Sequence, residues 1–166
     1  MNQKKFFSVR NIAKMAIFMA LYASLTLALT PISFGAIQVR VSELFVLLCF
    51  YNPIYCFSIT MGCFIANCFS PLGYVDMIFG TLATLIACLG IYFIKNIWIG
   101  SGVVVLANAL IVGAELSVVY QSSFWIMCLQ VGVGEMIAIF GIGIPILMSI
   151  RKTTFFKNLV NYEDRK

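Results

Sequence analysis

The chain has 166 residues, 62% of them apolar and only 10% charged, with a mean hydropathy of +1.02. A soluble domain is about 25% charged, so this composition excludes a disordered chain or a disulfide-built secreted fold and predicts one integral-membrane domain over residues 1–166. Its net charge of +5 does not indicate nucleic acid, because the basic residues flank apolar spans and form no stripe interleaved with aromatics.

A membrane-crossing helix needs about 20 apolar residues. Breaks at Pro, Gly, Asn and charges predict spans at about 12–30, 41–52, 53–70, 75–94, 97–119 and 124–149. The expected fold class is therefore all-α, a bundle of six transmembrane helices. The first span follows a basic segment, but Ile12 to Leu29 is longer than a signal-peptide core and Thr30-Pro31-Ile32 is a poor cleavage site, so it is expected to be retained. Within it Ala13, Ala16, Ala20 and Ala23 form a small-residue strip, with Ala16 and Ala20 one turn apart and open to a partner helix. The second span is cut short by Asn52-Pro53 and is expected to be short, tilted or begun in the preceding loop. In the third, Gly62 and Ala66 repeat the small-residue spacing and are expected to pack within the bundle. Gly134, Gly141 and Pro145 make the last span a candidate for bending.

Six spans place both termini on one side, and their Lys/Arg excess makes that side cytoplasmic. Lys4, Lys5, Arg10 and Lys14 precede or open the first span, and Arg151, Lys152, Lys157, Arg165 and Lys166 follow the last. Lys95, between the fourth and fifth spans, falls on the same side. Arg40 alone falls outside.

Histidine is absent, which removes histidine metal sites, Ser-His or Cys-His nucleophiles and histidine proton relays. The cysteines 49, 56, 63, 68, 88 and 128 lie in apolar stretches without a CxxC pair and read as small buried residues. No P-loop occurs. No catalytic residue, metal or cofactor is expected, and any ATP-driven step must come from partners.

Apart from Glu163 and Asp164 in the tail, the acids are Glu43, Asp76, Glu115 and Glu135. On this topology Glu43 and Asp76 start spans two and four at the outer face, Glu115 lies about one turn from the outer end of span five, and Glu135 lies about 16 Å down span six. An acid at a helix centre costs about 2.5–3.5 kcal/mol on insertion scales, so it faces a cavity or a partner charge. Simpler roles exist for two of them. Arg40 and Glu43, three apart, can form a local salt bridge, and Asp76 can cap its helix. Glu115 sits at the helix end that disfavours an anion, and it shares a face with Asn108. Asn67 adds a polar edge, Glu135 can instead pair with an internal amide, and Phe34, Tyr74 and Trp125 lie near the outer level. The set suits a small planar ligand with several N–H donors, held by carboxylates and stacked on aromatics. One carboxylate can meet a guanine-like edge in two places at once.

The run Ile37-Gln38-Val39-Arg40-Val41-Ser42-Glu43, then Gly62-Cys63-Phe64-Ile65-Ala66-Asn67 and Asp76-Met77-Ile78-Phe79-Gly80-Thr81-Leu82-Ala83-Thr84, resembles the QueT family. The family comprises proposed substrate-binding (S) components of energy-coupling factor (ECF) transporters for queuosine precursors. The resemblance implies a six-helix, ECF S-component-like bundle that captures a 7-deazaguanine base, queuine or a relative from outside. It implies partners as well: a transmembrane coupling protein and two ATPase subunits, docked on the alanine strip at Ala16 and Ala20. The loop from about Pro31 to Val41 would gate the site. Gln38, Arg40, Glu43, Asn67 and Asp76 are the motif residues implied to line or shape the pocket, with Asn108, Glu115 and Glu135 added by the charge argument. The competing expectations are an S component for another small vitamin or nucleobase, a proton-coupled secondary transporter, and, with least support, an intramembrane enzyme built on paired acids.

Overall fold

The computed structural model describes residues 8–35 and 37–160. Lys4, Lys5, Arg165 and Lys166, assigned above to the cytoplasmic side, lie outside the described residues, as do Glu163 and Asp164. Among the described residues the chain is helical and contains no strand. Its elements are α1 (Val9–Ala28), a one-turn α2 (Thr30–Ser33), α3 (Val41–Phe50), α4 (Ile54–Asn67), α5 (Tyr74–Phe93), α6 (Ile97–Val119), α7 (Phe124–Ile150) and a short α8 (Thr154–Val160). Helices α1, α5, α6 and α7 are each long and apolar enough to cross a membrane, and α3 and α4 are shorter apolar helices.

Local chemistry sets the helix ends. Ser8 accepts a hydrogen bond from the Asn11 amide and starts α1, and Asn96 accepts from the amides of Trp98 and Ile99 and starts α6. Asn52 likewise accepts from the Ile54 amide at 3.1 Å, so the Asn52-Pro53 break ends one helix and opens the next. Gly73 enters α5 at φ +60°, a conformation that favours glycine.

Helix α3 is wound with i to i+3 bonds along all of Val41–Phe50. Such winding rises about 2.0 Å per residue, so ten residues reach about 20 Å. Helix α7 holds the expected irregularity: Ile137–Gly143 is π-wound between two α-helical stretches. Pro145 has no N–H for the carbonyl four residues back, and a wider turn beside it absorbs that missing bond.

Contacts between elements fix their directions. α1 and α4 run parallel, since Ser58 donates to the Met15 carbonyl and Gly62 sits on Met19 and Tyr22. A Cβ at Gly62 would lie 2.9 Å from the Met19 carbonyl oxygen, so this small-residue step serves packing inside the bundle. α4 and α5 are antiparallel through Cys56 against Cys88 and Asn67 against Asp76. α5 and α6 are antiparallel through Gly90 with Val103 and Gly100 with Ile91, and α6 and α7 through Gly113 with Cys128. One end of the bundle therefore carries the start of α1, the 50–54 and 93–97 turns, and α8. The other carries the 28–41, 67–74 and 119–124 connections.

Arg10, Lys95, Arg151, Lys152 and Lys157 are exposed, all at the first end. Ala13, Ala16 and Ala20 are exposed along α1 beside Ile17 and Leu21, whereas Ala23 is buried.

Candidate functional site

Hairpin geometry brings distant acids level with one another. With the turn between α5 and α6 centred near residues 95 and 96, Asp76 stands opposite Glu115, and Thr84 opposite Asn108. The Gly113–Cys128 contact sets the next pair in register, with Asn108 level with Glu135. Seven residues separate Asn108 from Glu115, which is about 10 Å along a helix. The polar side chains thus fall into two tiers.

The upper tier, nearer the 28–41 and 67–74 connections, holds Arg40, Asn67, Asp76 and Glu115, all buried. Arg40 Nη2 lies 4.0 Å from Asp76 Oδ1, Nη1 points to Cys63 Sγ at 3.6 Å, and the guanidinium carbon lies 5.5 Å from the centre of the Phe34 ring. Asn67 donates to the Asp76 main-chain carbonyl at 3.0 Å and toward Cys63 Sγ at 3.4 Å. The Glu115 carboxyl interacts electrostatically with Asp76 and Arg40. Gly80 leaves room for this tier, because a Cβ there would meet Asp76 Oδ1 at 2.5 Å and Asn67 Nδ2 at 2.8 Å.

The lower tier holds Glu43, Thr84, Asn108 and Glu135, again buried. Glu43 Oε1 accepts a short hydrogen bond from the Tyr22 hydroxyl and a longer one, 3.4 Å, from Thr84. The Asn108 amide faces both Glu43 and Glu135, although its Nδ2 completes a hydrogen bond to neither. Cys63, 3.2 Å from Thr84 Oγ1, links the tiers. Outside them, Thr26 and Ser42 share a 2.6 Å hydrogen bond that fixes α3 to α1.

Gln38 is buried beside the cluster through its backbone. Its carbonyl abuts Gly134, one residue before Glu135, and a Cβ at Gly134 would collide with it. The connection after α2 is thereby seated on α7 next to the lower tier.

Neither simpler role is met by a direct contact, although Arg40 interacts electrostatically with Glu43 and Asp76 lies where the α5 dipole favours an anion. Glu43 bonds Tyr22 and Thr84, and the Arg40 guanidinium turns toward Asp76. Asp76 lies in the first turn of α5, yet neither of its carboxyl oxygens caps an amide. Of the aromatics, Phe34 reaches the cluster through Arg40, while Tyr74 and Trp125 are 81% and 74% exposed and turn away. Tyr22, Cys63 and Thr84 join the cluster without having been read as site residues. A tyrosine in mid-span needs a partner for its hydroxyl, and Tyr22 and Thr26 lie one turn apart on α1, off the exposed alanine strip. Thr84 is two turns below Asp76 on the same face.

The cluster is distinguished by what it leaves unmet. Buried polar atoms are normally hydrogen-bonded. Here Arg40 Nη2, Glu43 Oε2, Asn67 Oδ1, both oxygens of Asp76, both of Glu115, and Glu135 Oε2 have no hydrogen-bond partner among the described residues. Most are acceptors converging from α3, α4, α5, α6 and α7. No group of three or more metal-ligating side chains occurs among the described residues.

Residues 12–152 match the QueT transporter family. The chain belongs to that family. Over 78 residues it is 44% identical to a queuosine precursor transporter QueT from Lactococcus lactis subsp. cremoris (strain MG1363), a match covering 46% of this chain and 46% of the relative. The matched region thus spans about half the length of the curated relative. No solved structure matches. Membership in a transporter family, with four long apolar helices, makes this QueT-family chain a multi-pass membrane protein.

Proposed function

We propose that this protein is the substrate-binding S component of an ECF-type importer and takes up a queuosine precursor, a 7-deazaguanine base, queuine or a relative. The observation that carries the reading is the convergence of unpartnered, mostly acceptor atoms in the bundle interior. A deazaguanine ring presents adjacent ring N–H and amino donors, the complement of Glu43 and Glu135. The name of the Lactococcus relative agrees with this cargo. Gln38, Arg40, Glu43, Asn67, Asp76, Asn108, Glu115 and Glu135 are proposed to line or shape the pocket.

In this reading the chain crosses the bilayer six times, with α3 and α4 as short crossings, and the basic end faces the cytoplasm. The two tiers then open outward. The connection through Gln38 covers the bound base, and Gly134 is its seat. The exposed strip at Ala16 and Ala20 is offered to a transmembrane coupling protein, and two ATPase subunits supply the energy that a chain without a P-loop cannot.

The test is equilibrium binding of a radiolabelled 7-deazaguanine base to the purified protein, with uptake measured in cells. Saturable binding weakened by Glu43→Gln, and uptake lost when the ATPase subunits are deleted, are the expected results. Absence of binding would remove the cargo. Uptake that survives deletion of the ATPases and collapses with the proton gradient would identify a secondary transporter instead.

A further inference from the structure

Away from the polar tiers, toward the basic end of the bundle, a cavity of about 180 Å³ opens between α1, α3, α7 and α8. The side chains that line it are apolar throughout, with Phe18, Leu47, Ile146, Ile150, Phe155 and Leu159 contributed by the four helices. Two features of the chain make the space. Gly143 withholds a side chain where α7 passes α3, and a Cβ there would come within 2.9 Å of Leu47 Cδ1. On the other side α8 is fixed at the rim, because Lys14, Tyr55 and Asn52 donate to the carbonyls of Asn158, Leu159 and Val160. The cavity is open to the outside of the bundle: Ile146, Ile150 and Phe155 line it and are 44%, 36% and 73% exposed. An unfilled gap forfeits the dispersion contacts of its walls, and an apolar one offers water no hydrogen-bond partner. In a bilayer the material at hand to fill it is an acyl chain.

We propose that this groove binds an anionic phospholipid, with one acyl chain in the cavity and the phosphate held by the cations at its mouth. The charge at the mouth selects the headgroup. Arg151 and Lys152 follow Ile150 directly, and Lys157 lies between Phe155 and Leu159 on α8. All three are exposed. No acid among the described residues offsets them, since Glu43, Asp76, Glu115 and Glu135 are all buried in the two tiers. The tail that follows adds Glu163, Asp164, Arg165 and Lys166, two acids and two bases, and so no net charge. Clustered Lys and Arg beside a membrane-embedded groove attract anionic headgroups, and a guanidinium can meet a phosphate through two parallel hydrogen bonds. The site shares no residue with the polar tiers, so it stands or falls independently of the proposed cargo.

The experiment uses the full-length protein purified in a nonionic detergent, with dioleoyl phosphatidylglycerol or dioleoyl phosphatidylcholine added as probes of equal chain and different charge. Native mass spectrometry counts the retained lipid and thermal unfolding reads the stabilisation. The wild type is expected to retain one phosphatidylglycerol, to prefer it over phosphatidylcholine at least about tenfold, and to melt higher as it is added. Arg151→Gln combined with Lys152→Gln is expected to bring phosphatidylglycerol down to the level of phosphatidylcholine. Ile146→Trp, which places an indole in the mouth, is expected to lose both lipids, with a cooperative melt of the lipid-free variant showing that it is folded. Ile150→Trp gives the same reading if Ile146→Trp does not purify. Equal retention of the two lipids by the wild type, or a preference that survives loss of both cations, would overturn the proposal. So would equal stabilisation by glycerol phosphate, which has the headgroup charge and no chain. A dimer in lipid-free detergent that Ile146→Trp dissociates would assign the groove to a second copy of the chain and overturn it as well.

Discussion

The two ends of this bundle treat buried polar groups in opposite ways. At the end bearing the start of α1 and α8, the groups around α8 are matched, although the buried Ser101 hydroxyl near the start of α6 is not. Lys14 Nζ donates to the carbonyls of Asn158 and Leu159 at 2.8 and 2.6 Å, the Tyr55 hydroxyl to Leu159 at 2.8 Å, and Asn52 to the Val160 carbonyl at 3.3 Å. Those contacts satisfy the last carbonyls of α8 that its own helix cannot, and they hold it beneath α1 and α4. At the other end, carboxylates, amides and a guanidinium are buried with hydrogen-bonding capacity left over. A chain with only 10% charged residues can use its polar groups for closure or for recognition, and the proposed function gives each end one of these uses.

The contrast can be broken from either side. The largest effect is expected for Arg40→Met, which leaves the acids of the upper tier without a buried cation. Loss of one partner from a buried ion pair costs about 3–5 kcal/mol, so thermal unfolding of the ligand-free protein should fall sharply and base binding should be lost. Unchanged stability would show that Arg40 does not hold the tier together.

Glu115→Gln should separate stability from binding. Replacing a buried carboxyl that has no donor by a neutral amide removes a charge-desolvation penalty, so the empty protein is expected to gain about 1–3 kcal/mol in thermal denaturation. Affinity for a 7-deazaguanine base should fall at the same time. A loss of both would make Glu115 a structural residue.

Gly134→Ala sharpens the role of the connecting loop. The added Cβ collides with the Gln38 carbonyl, and overpacking of this kind costs about 1–3 kcal/mol. If the proposed gate at Gln38 takes up the strain by lifting, the signature is faster ligand release with little change in the melting temperature of the empty protein, and a lowered melting temperature with unchanged release would make the contact structural. Lys14→Met should have the smallest effect, about 1 kcal/mol or less. It should loosen α8, seen as faster hydrogen exchange at 154–160, without altering base binding.

Much of this contrast was legible in the sequence. Each of the main helix boundaries follows from a break a reader can see, such as Asn52-Pro53 or the Asn96 cap, because an apolar span ends where backbone groups must be met by other means. The acids were conspicuous for a related reason: few residue types other than Glu, Asp and Arg are so costly to bury. What stayed hidden depends on register and rotation. Tyr22, Cys63 and Thr84 are ordinary span residues until the parallel packing of α1 on α4 and the antiparallel α4–α5 pair turn them inward. Conversely, Tyr74 and Trp125 sit at the right height but face outward, which height along a helix does not reveal. The 3-10 winding of α3, which lies with Leu44 and Leu47 against Gly143 of α7, is likewise a matter of packing, whereas the irregularity in α7 was already marked by Gly141 and Pro145.

The most direct test of the contrast is hydrogen exchange of the purified protein with and without a saturating 7-deazaguanine base. Protection is expected at residues 37–43, 74–80 and 108–116, where the unmet groups lie, with exchange at 154–160 unchanged because that end is already satisfied. Uniform protection of both ends, or none at the polar tiers despite bound ligand, would contradict the assignment of the unpartnered cluster to ligand recognition.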